Sequence, residues 1–335
     1  MRSKNPQSLA AVAALAALFS VATGAVAQST PNRSLLALSK RNHTLAIVDP
    51  NTLQVVARAP VGTDPHEVIA SSDGKTAYVS IYGGGRFHSL SVIDLVAQKA
   101  LPDVDTGALN GPHGLAFAGG KVWFTAEGAK AVATYDPASG KVDRIMGTGQ
   151  NRTHMLYVTP DEKQIYTTNA SSASVSILEK VTLPPMGPPP GTQPPQGSQP
   201  PPPPPGGNQQ RVPHNNHQTH PNEQAHRRPK GSQQTGADLQ ASRIDWNQTV
   251  ISVGKGDEGF DVSPDGRELW TANAQDGTLS VIDLTTRTVT ATLNSKTFGA
   301  NRLKFTPDGK LVLISSLRDS DLVIYDAPRA KNSSA

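Results

Sequence analysis

Polar and apolar positions alternate in short bursts along most of this chain, and the bursts recur. Five stretches share one order of apolar strand, polar turn and second strand: HEVIASSDGKTAYVS from His66, HGLAFAGGKVWFTA from His113, HMLYVTPDEKQIYTTN from His154, EGFDVSPDGRELWTAN from Glu258 and NRLKFTPDGKLVLISS from Asn301. Alternation with period two marks half-buried strands, and Asp-Gly or its relative supplies the positive φ that a tight hairpin needs. A third strand ending in an acid follows each hairpin, at Asp94, Asp136, Glu179, Asp283 and Asp326, and a further copy, HTLAIVDP, ends in Asp49 ahead of them. Fourth strands follow most of these, as in LQVVARAPVG, KVDRIMGTG, QTVISVG and TVTATL.

Four antiparallel strands repeated every ~40 to 45 residues predict the blades of an all-β β-propeller. The pattern supplies five first, six second, six third and five fourth strands, so the expected architecture has six blades with the first and last incomplete. A seventh would need a cryptic strand from residues 28–34 and the tail. Trp123 and Trp270 fall in second strands and read as core.

One segment breaks the repeat. Residues 182–245 are rich in Pro, Gln and His, and from Pro184 to Gln240 the only large apolar side chains are Met186, Val212 and Leu239. Ordering one residue's backbone costs about 1–2 kcal/mol, while burying one aliphatic side chain returns about 1.5–3 kcal/mol. The segment is therefore expected to be a disordered insertion within one blade of a single propeller domain, with polyproline II geometry at Pro200–Pro205. Its His214, His217, His220 and His226 form a tract that reads either as a weak Cu, Ni or Zn scavenger or as a polar linker.

The first residues, MRSKNPQSLAAVAALAALFSVATGAVAQS, place two basic residues before an Ala-rich apolar stretch and an Ala25-Val26-Ala27 triplet. That order predicts a secretory signal over residues 1–27 and a soluble periplasmic or secreted protein with no membrane span after cleavage. The chain has no cysteine, which excludes a disulfide framework, thiol chemistry and Cys-ligated zinc. Its formal charge of +4 includes Arg2 and Lys4 in the leader, and no dense Lys/Arg stripe points to nucleic acid.

Aligning the hairpins puts His66, His113, His154, Glu258 and Asn301 at one repeat position, the start of the first strand. In a propeller the first strands line the channel, so these residues are expected to gather at its mouth as a ligand-binding set. Arg152 and Arg302 flank them, and the IYGGGRFHS loop adds Arg86 beside Tyr82, Phe87 and His88. His66, His113, His154 and Glu258 would suit a divalent metal such as Zn or Cu. The competing reading is that Pro-His at this position satisfies a turn, and that His66 shares a strand face with Val68 and Ala70, between blades and away from the channel. The sequence holds no G-x-S-x-G elbow, phosphate loop or H-E-x-x-H helix, and no catalytic residue is assigned.

The strings IYTTNASSASVSIL and LWTANAQDGTLSVID resemble the YVTN-repeat β-propeller family of exported, YncE-like proteins, and the match recurs over nearly the whole chain outside the insertion. LLALSKRNHTLAIVD aligns with the second string without a gap but has Ser39 where the others have Asn169 and Asn273. The family is usually seven-bladed. The resemblance implies a monomeric binding scaffold for a small ligand or another exported protein. Similar propellers also imply two alternatives, a metal-assisted lactonase or lyase and a redox accessory protein that holds haem or copper. Deleting residues 184–240 is expected to leave the calorimetric unfolding midpoint nearly unchanged; a large fall would show that the segment packs on the blades.

Overall fold

Hydroxyl, acid and glycine positions in the turns explain why the chain breaks into strands where it does. The computed structural model describes residues 29–184 and 242–327. The first sheet is β1 (Leu35–Ser39), β2 (Thr44–Val48) and β3 (Val55–Pro60). The second is β4 (Pro65–Ala70), β5 (Thr76–Ile81), β6 (Ser89–Asp94) and β7 (Lys99–Asp105), and the third is β8 (Pro112–Ala118), β9 (Lys121–Ala126), β10 (Ala131–Asp136) and β11 (Lys141–Gly147). The fourth holds β12 (Thr153–Val158), β13 (Gln164–Asn169), β14 (Ser174–Leu183) and β15 (Arg243–Ser252). The fifth holds β16 (Asp257–Val262), β17 (Glu268–Asn273), β18 (Thr278–Asp283) and β19 (Thr288–Asn294), and the last β20 (Ala300–Phe305), β21 (Leu311–Ser316) and β22 (Leu322–Asp326).

Within each sheet, strands that follow one another in sequence lie side by side, as propeller blades require. The fold is an all-β propeller of six blades, four of them four-stranded and the first and last three-stranded. Among the described residues the first sheet has no first strand and the last no fourth, as the repeat count predicts. Residues 29–34 form no strand; instead the Thr30 hydroxyl donates to the Leu95 carbonyl at 2.5 Å. Two compact units divide the described chain, one reaching to Ala129 and taking in Thr134–Asp143, the other made of Lys130–Ala133 and the residues from Arg144 onward.

Four of the hairpin turns share one hydrogen-bond set. In each S/T-x-D turn the hydroxyl donates to the acid two residues on, Ser71 to Asp73, Thr159 to Asp161, Ser263 to Asp265 and Thr306 to Asp308, at 2.6–2.7 Å. The third-strand acids act one turn later. Asp49, Asp94, Asp136 and Asp283 accept backbone N–H groups two or three residues ahead and so open the turn into the fourth strand. Glu179 stands at the equivalent position inside β14, which runs on toward the insertion without that turn, and it pairs with Arg287 at 2.7 Å instead.

Those two strands correct the insertion's edges. β14 runs to Leu183 and β15 starts at Arg243, with Leu183 opposite Arg243, so residues 182–183 and 243–245 are strand where the sequence pattern reads insertion. Backbone pairing carries the ribbon past the buried body of the blade, where Val181, Ile244 and Trp246 supply β-favouring side chains but no buried face. The signal over residues 1–27, the His tract and the polyproline run lie outside the described residues.

Burial follows strand rank. In the four complete sheets second and third strands are largely buried, while fourth strands such as β7 and β19 are mostly exposed; β1, β21 and β22 of the first and last sheets are more exposed than their counterparts. Leu45, Ile47, Val79, Ile81 and Ile93 fill the space between the first two sheets. In the second unit Tyr166, Ile177, Phe260 and Leu269 pack the fourth sheet on the fifth, and Trp270, Leu279, Leu303 and Ile314 pack the fifth on the last. Trp123 and Trp270 are core residues.

The Asn of the YVTN-like strings has a structural task. Asn273 is fully buried; its amide donates to Thr278 and Ser280 while its carbonyl accepts from Thr271. Asn169 does the same with Ser174, Ser176 and Thr167. The amide locks the end of a second strand to the strand beside it. Asn273→Ala would strand several buried polar atoms and is expected to lower unfolding free energy by about 1–3 kcal/mol in urea titration; an unchanged midpoint would contradict that role.

Candidate functional site

Every first strand begins with the same backbone device. The residue just before it has positive φ in all five sheets that have a first strand: Asp64 (57°), Gly111 (69°), Arg152 (54°), Gly256 (72°) and Gly299 (67°). Its carbonyl accepts the N–H just past the end of the second strand, that of Tyr82, Glu127, Ala170, Ala274 or Leu317, at 2.8–3.2 Å. One to three residues on, the register against the second strand slips by a residue, between Pro65 and Val68, Pro112 and Leu115, Thr153 and Leu156, Asp257 and Gly259, and Ala300 and Arg302.

These slips are β-bulges, which break alternation and re-aim side chains. They contain His66, His113, His154, Glu258 and Asn301, so alternation does not assign His66 to the face of Val68 and Ala70. In three sheets a second-strand hydroxyl holds the bulge, Ser80, Thr125 and Thr168 accepting the N–H groups of Glu67, Gly114 and Met155 at 2.8–3.2 Å. At Gly259 a Cβ would stand 2.1 Å from the Asn301 carbonyl oxygen, which is why the fifth sheet's bulge needs glycine beside the last sheet's.

In the first unit the device brings His66 and His113 together, with ring centroids 4.5 Å apart. Tyr82 stands 4.6 Å from the first ring and 5.2 Å from the second, and its hydroxyl donates to Oε2 of Glu127 at 2.5 Å. His113 and Glu127 are buried, 1% and 6% exposed. On the outer side of His66, Lys40 Nζ lies 2.8 Å from its Nδ1 and 2.8 Å from Asp64. Burial works against ionisation of Asp64, yet Lys40 and His66 bring its carboxyl below the usual range. Arg86 remains exposed, its Nε donating to the Gly83 carbonyl of its own loop at 3.5 Å.

In the second unit the same position gathers opposite charges. Glu258 has Arg152 Nη1 at 3.4 Å from Oε1, His154 Nε2 at 3.4 Å from Oε2, and the Asn301 amide donating to Oε2 at 2.9 Å. Arg302 Nη1 donates to Asn301 Oδ1 at 3.3 Å. The His154 imidazole, with the Arg152 and Arg302 guanidiniums, holds the Glu258 carboxyl down to about 2 against the opposing effect of burial. Arg152 occupies a left-handed conformation that costs an L residue about 1–2 kcal/mol relative to glycine.

The two sets suit different chemistry. Two imidazoles, a phenol and a carboxylate at His66, His113, Tyr82 and Glu127 are N and O donors of the kind Zn or Cu accepts, with the donor atoms of His113 and Glu127 within 4.8 Å of each other. Glu258 sits among cationic groups, which favours an anion over a metal cation there. Glu127, Asp64, Lys40 and Asp257 escape sequence reading of the site. The signal that locates one of these was present: Gly111, Gly256 and Gly299 precede three of the aligned segments by two residues and mark the left-handed position that Asp64, like Arg152, also fills.

Asp257, fully buried beside Glu258, accepts the Asn169 N–H at 3.0 Å, and burial pushes its carboxyl up to about 7. The unfolded chain gives up this proton first as pH rises, so stability should drain between the ordinary carboxyl value of 3.8 and about 7. Asp257→Asn keeps an acceptor and removes the titration. It is expected to exceed the parent in urea midpoint at about pH 8, with the gap narrowing as pH falls to about 4; a gap independent of pH would contradict the shift.

Neither a family model nor a curated protein matches the sequence. Among solved structures, the chain is similar to the crystal structure of a functionally unknown protein from Desulfotomaculum acetoxidans DSM 771, with TM-score 0.58 and 10% identity over 87% of this chain and 74% of that one. Kuenenia stuttgartiensis hydrazine synthase aligns with TM-score 0.46 and 13% identity over 89% of this chain and 93% of that one. At such identity the likeness to the Desulfotomaculum protein is one of fold, the all-β propeller.

Proposed function

We propose that this chain is an exported propeller of the YVTN type that works as a non-catalytic binding scaffold, taking a small ligand or a segment of another exported protein where its first strands begin. The observation that carries the reading is convergence: residues at one repeat position touch within each unit, His66 with His113, and Glu258 with both His154 and Asn301. A position that only satisfied a turn would not need imidazole, carboxylate and amide groups facing one another across sheets. The leader pattern supports a periplasmic or secreted location, and among the described residues no helix is long and apolar enough to cross a membrane.

The donor set of His66, His113, Tyr82 and Glu127 favours a second reading, metal-assisted hydrolysis at the same strand ends. One experiment separates the two. Thermal shift of the tag-free mature chain is measured with small oxyanions, neutral sugars and divalent ions, beside a lactone hydrolysis assay. The scaffold reading predicts a rise in melting temperature of several degrees with at least one probe, lost in His113→Ala or Arg152→Gly, and no turnover. Lactone hydrolysis that needs added metal and disappears in His113→Ala would replace it with the enzyme reading.

A further inference from the structure

Five residues precede first strands in the left-handed conformation, and three are glycine, the residue that adopts it without strain. Arg152 is one of the two exceptions. Its backbone is pinned on both sides: the Arg152 carbonyl accepts the Ala170 N–H at 3.0 Å, and the Asn151 N–H donates to the Ser172 hydroxyl at 2.8 Å. A strained backbone that persists where glycine would serve points to a task for the side chain.

That side chain reaches a site where cationic groups surround a carboxylate. Arg152 and Arg302 place two guanidiniums and His154 an imidazole around Glu258, while burial pushes the carboxyl of the neighbouring Asp257 up to about 7. Glu258 itself shows how an oxyanion is held here, with one oxygen toward Arg152 and the other toward His154 and Asn301. The guanidinium and imidazole contacts, both 3.4 Å, are longer than the ~2.7–2.9 Å of tight charge-assisted hydrogen bonds. The Arg152 side chain is also more accessible than those it faces, 37% exposed against 19% for Glu258 and 2% for His154.

We infer that Arg152, Arg302, His154 and Asn301 form a binding site for a small ligand bearing a carboxylate or phosphate group, with Glu258 as the internal anion that such a ligand displaces from Arg152. The inference rests on the binding-scaffold reading and gives its ligand class. Glu258 acts as a competitor, so removing its charge strengthens ligand binding. Arg152 acts as a movable arm, so glycine at its position leaves the backbone relaxed and the site weakened.

Calorimetric titration of the tag-free mature chain with inorganic phosphate and with succinate, at constant ionic strength, tests this. Glu258→Gln is expected to bind at least one of the two several-fold more tightly than the parent. Arg152→Gly should unfold at the parent's temperature or above and bind about tenfold more weakly, the loss expected for one charge-assisted contact; Arg152→Lys should recover part of it. Whichever anion binds tells phosphate from carboxylate. Equal affinity in parent, Glu258→Gln and Arg152→Gly, or no binding above that of chloride in any of them, overturns the anion site. If sugars or divalent ions still shift the melting temperature and lose that effect in His113→Ala, only the ligand class is wrong. If no probe does, the scaffold reading falls with it.

Discussion

The hydrogen bond from the residue ahead of each first strand to the N–H beyond each second strand constrains everything around the site. To make it, the backbone must turn through positive φ, and the strand that follows must absorb the turn with an extra residue. The bulge then takes His66, His113, His154, Glu258 and Asn301 out of the alternation that governs the rest of the strand. The hydroxyls of Ser80, Thr125 and Thr168 hold the bulge N–H groups, so the site geometry is tied to second strands that are themselves buried in the core.

One repeat position thus gives two chemical surroundings. In the first unit an aromatic and imidazole cluster leads through Tyr82 to a buried carboxylate. In the second, a carboxylate lies among two guanidiniums, an imidazole and an amide. The blade supplies position and direction, and the side chain at that position supplies the chemistry. A propeller can therefore change its ligand without changing its core, which is why fold likeness at 10% identity carries no function.

The blades were legible because their signals are local. Asp-Gly turns, terminal acids and buried second strands repeat with the chain, and Asn169 and Asn273 sit at the ends of the strands where the YVTN-like strings put them. That His66, His113, His154, Glu258 and Asn301 share one repeat position was legible from alignment of the repeats alone. Their orientation was not, because bulges arise from pairing between strands and leave no mark on alternation. Glu127 and Asp257 escaped because one matters through Tyr82 on another sheet and the other through burial against Asn169, and neither fact is local. The insertion's edges were misread at Thr182–Leu183 and Arg243–Asp245 because pairing between strands can outrun the buried face that a hydrophobic pattern detects.

A double-mutant cycle between His154 and Glu258, 104 positions apart in sequence, tests most directly whether the bulges bring equivalent repeat positions into contact. With urea unfolding of the parent, His154→Ala, Glu258→Gln and the double variant at a pH of about 6, the account predicts non-additivity of about 1 kcal/mol or more. Additivity within about 0.3 kcal/mol would mean the two side chains do not meet in solution, and would contradict it.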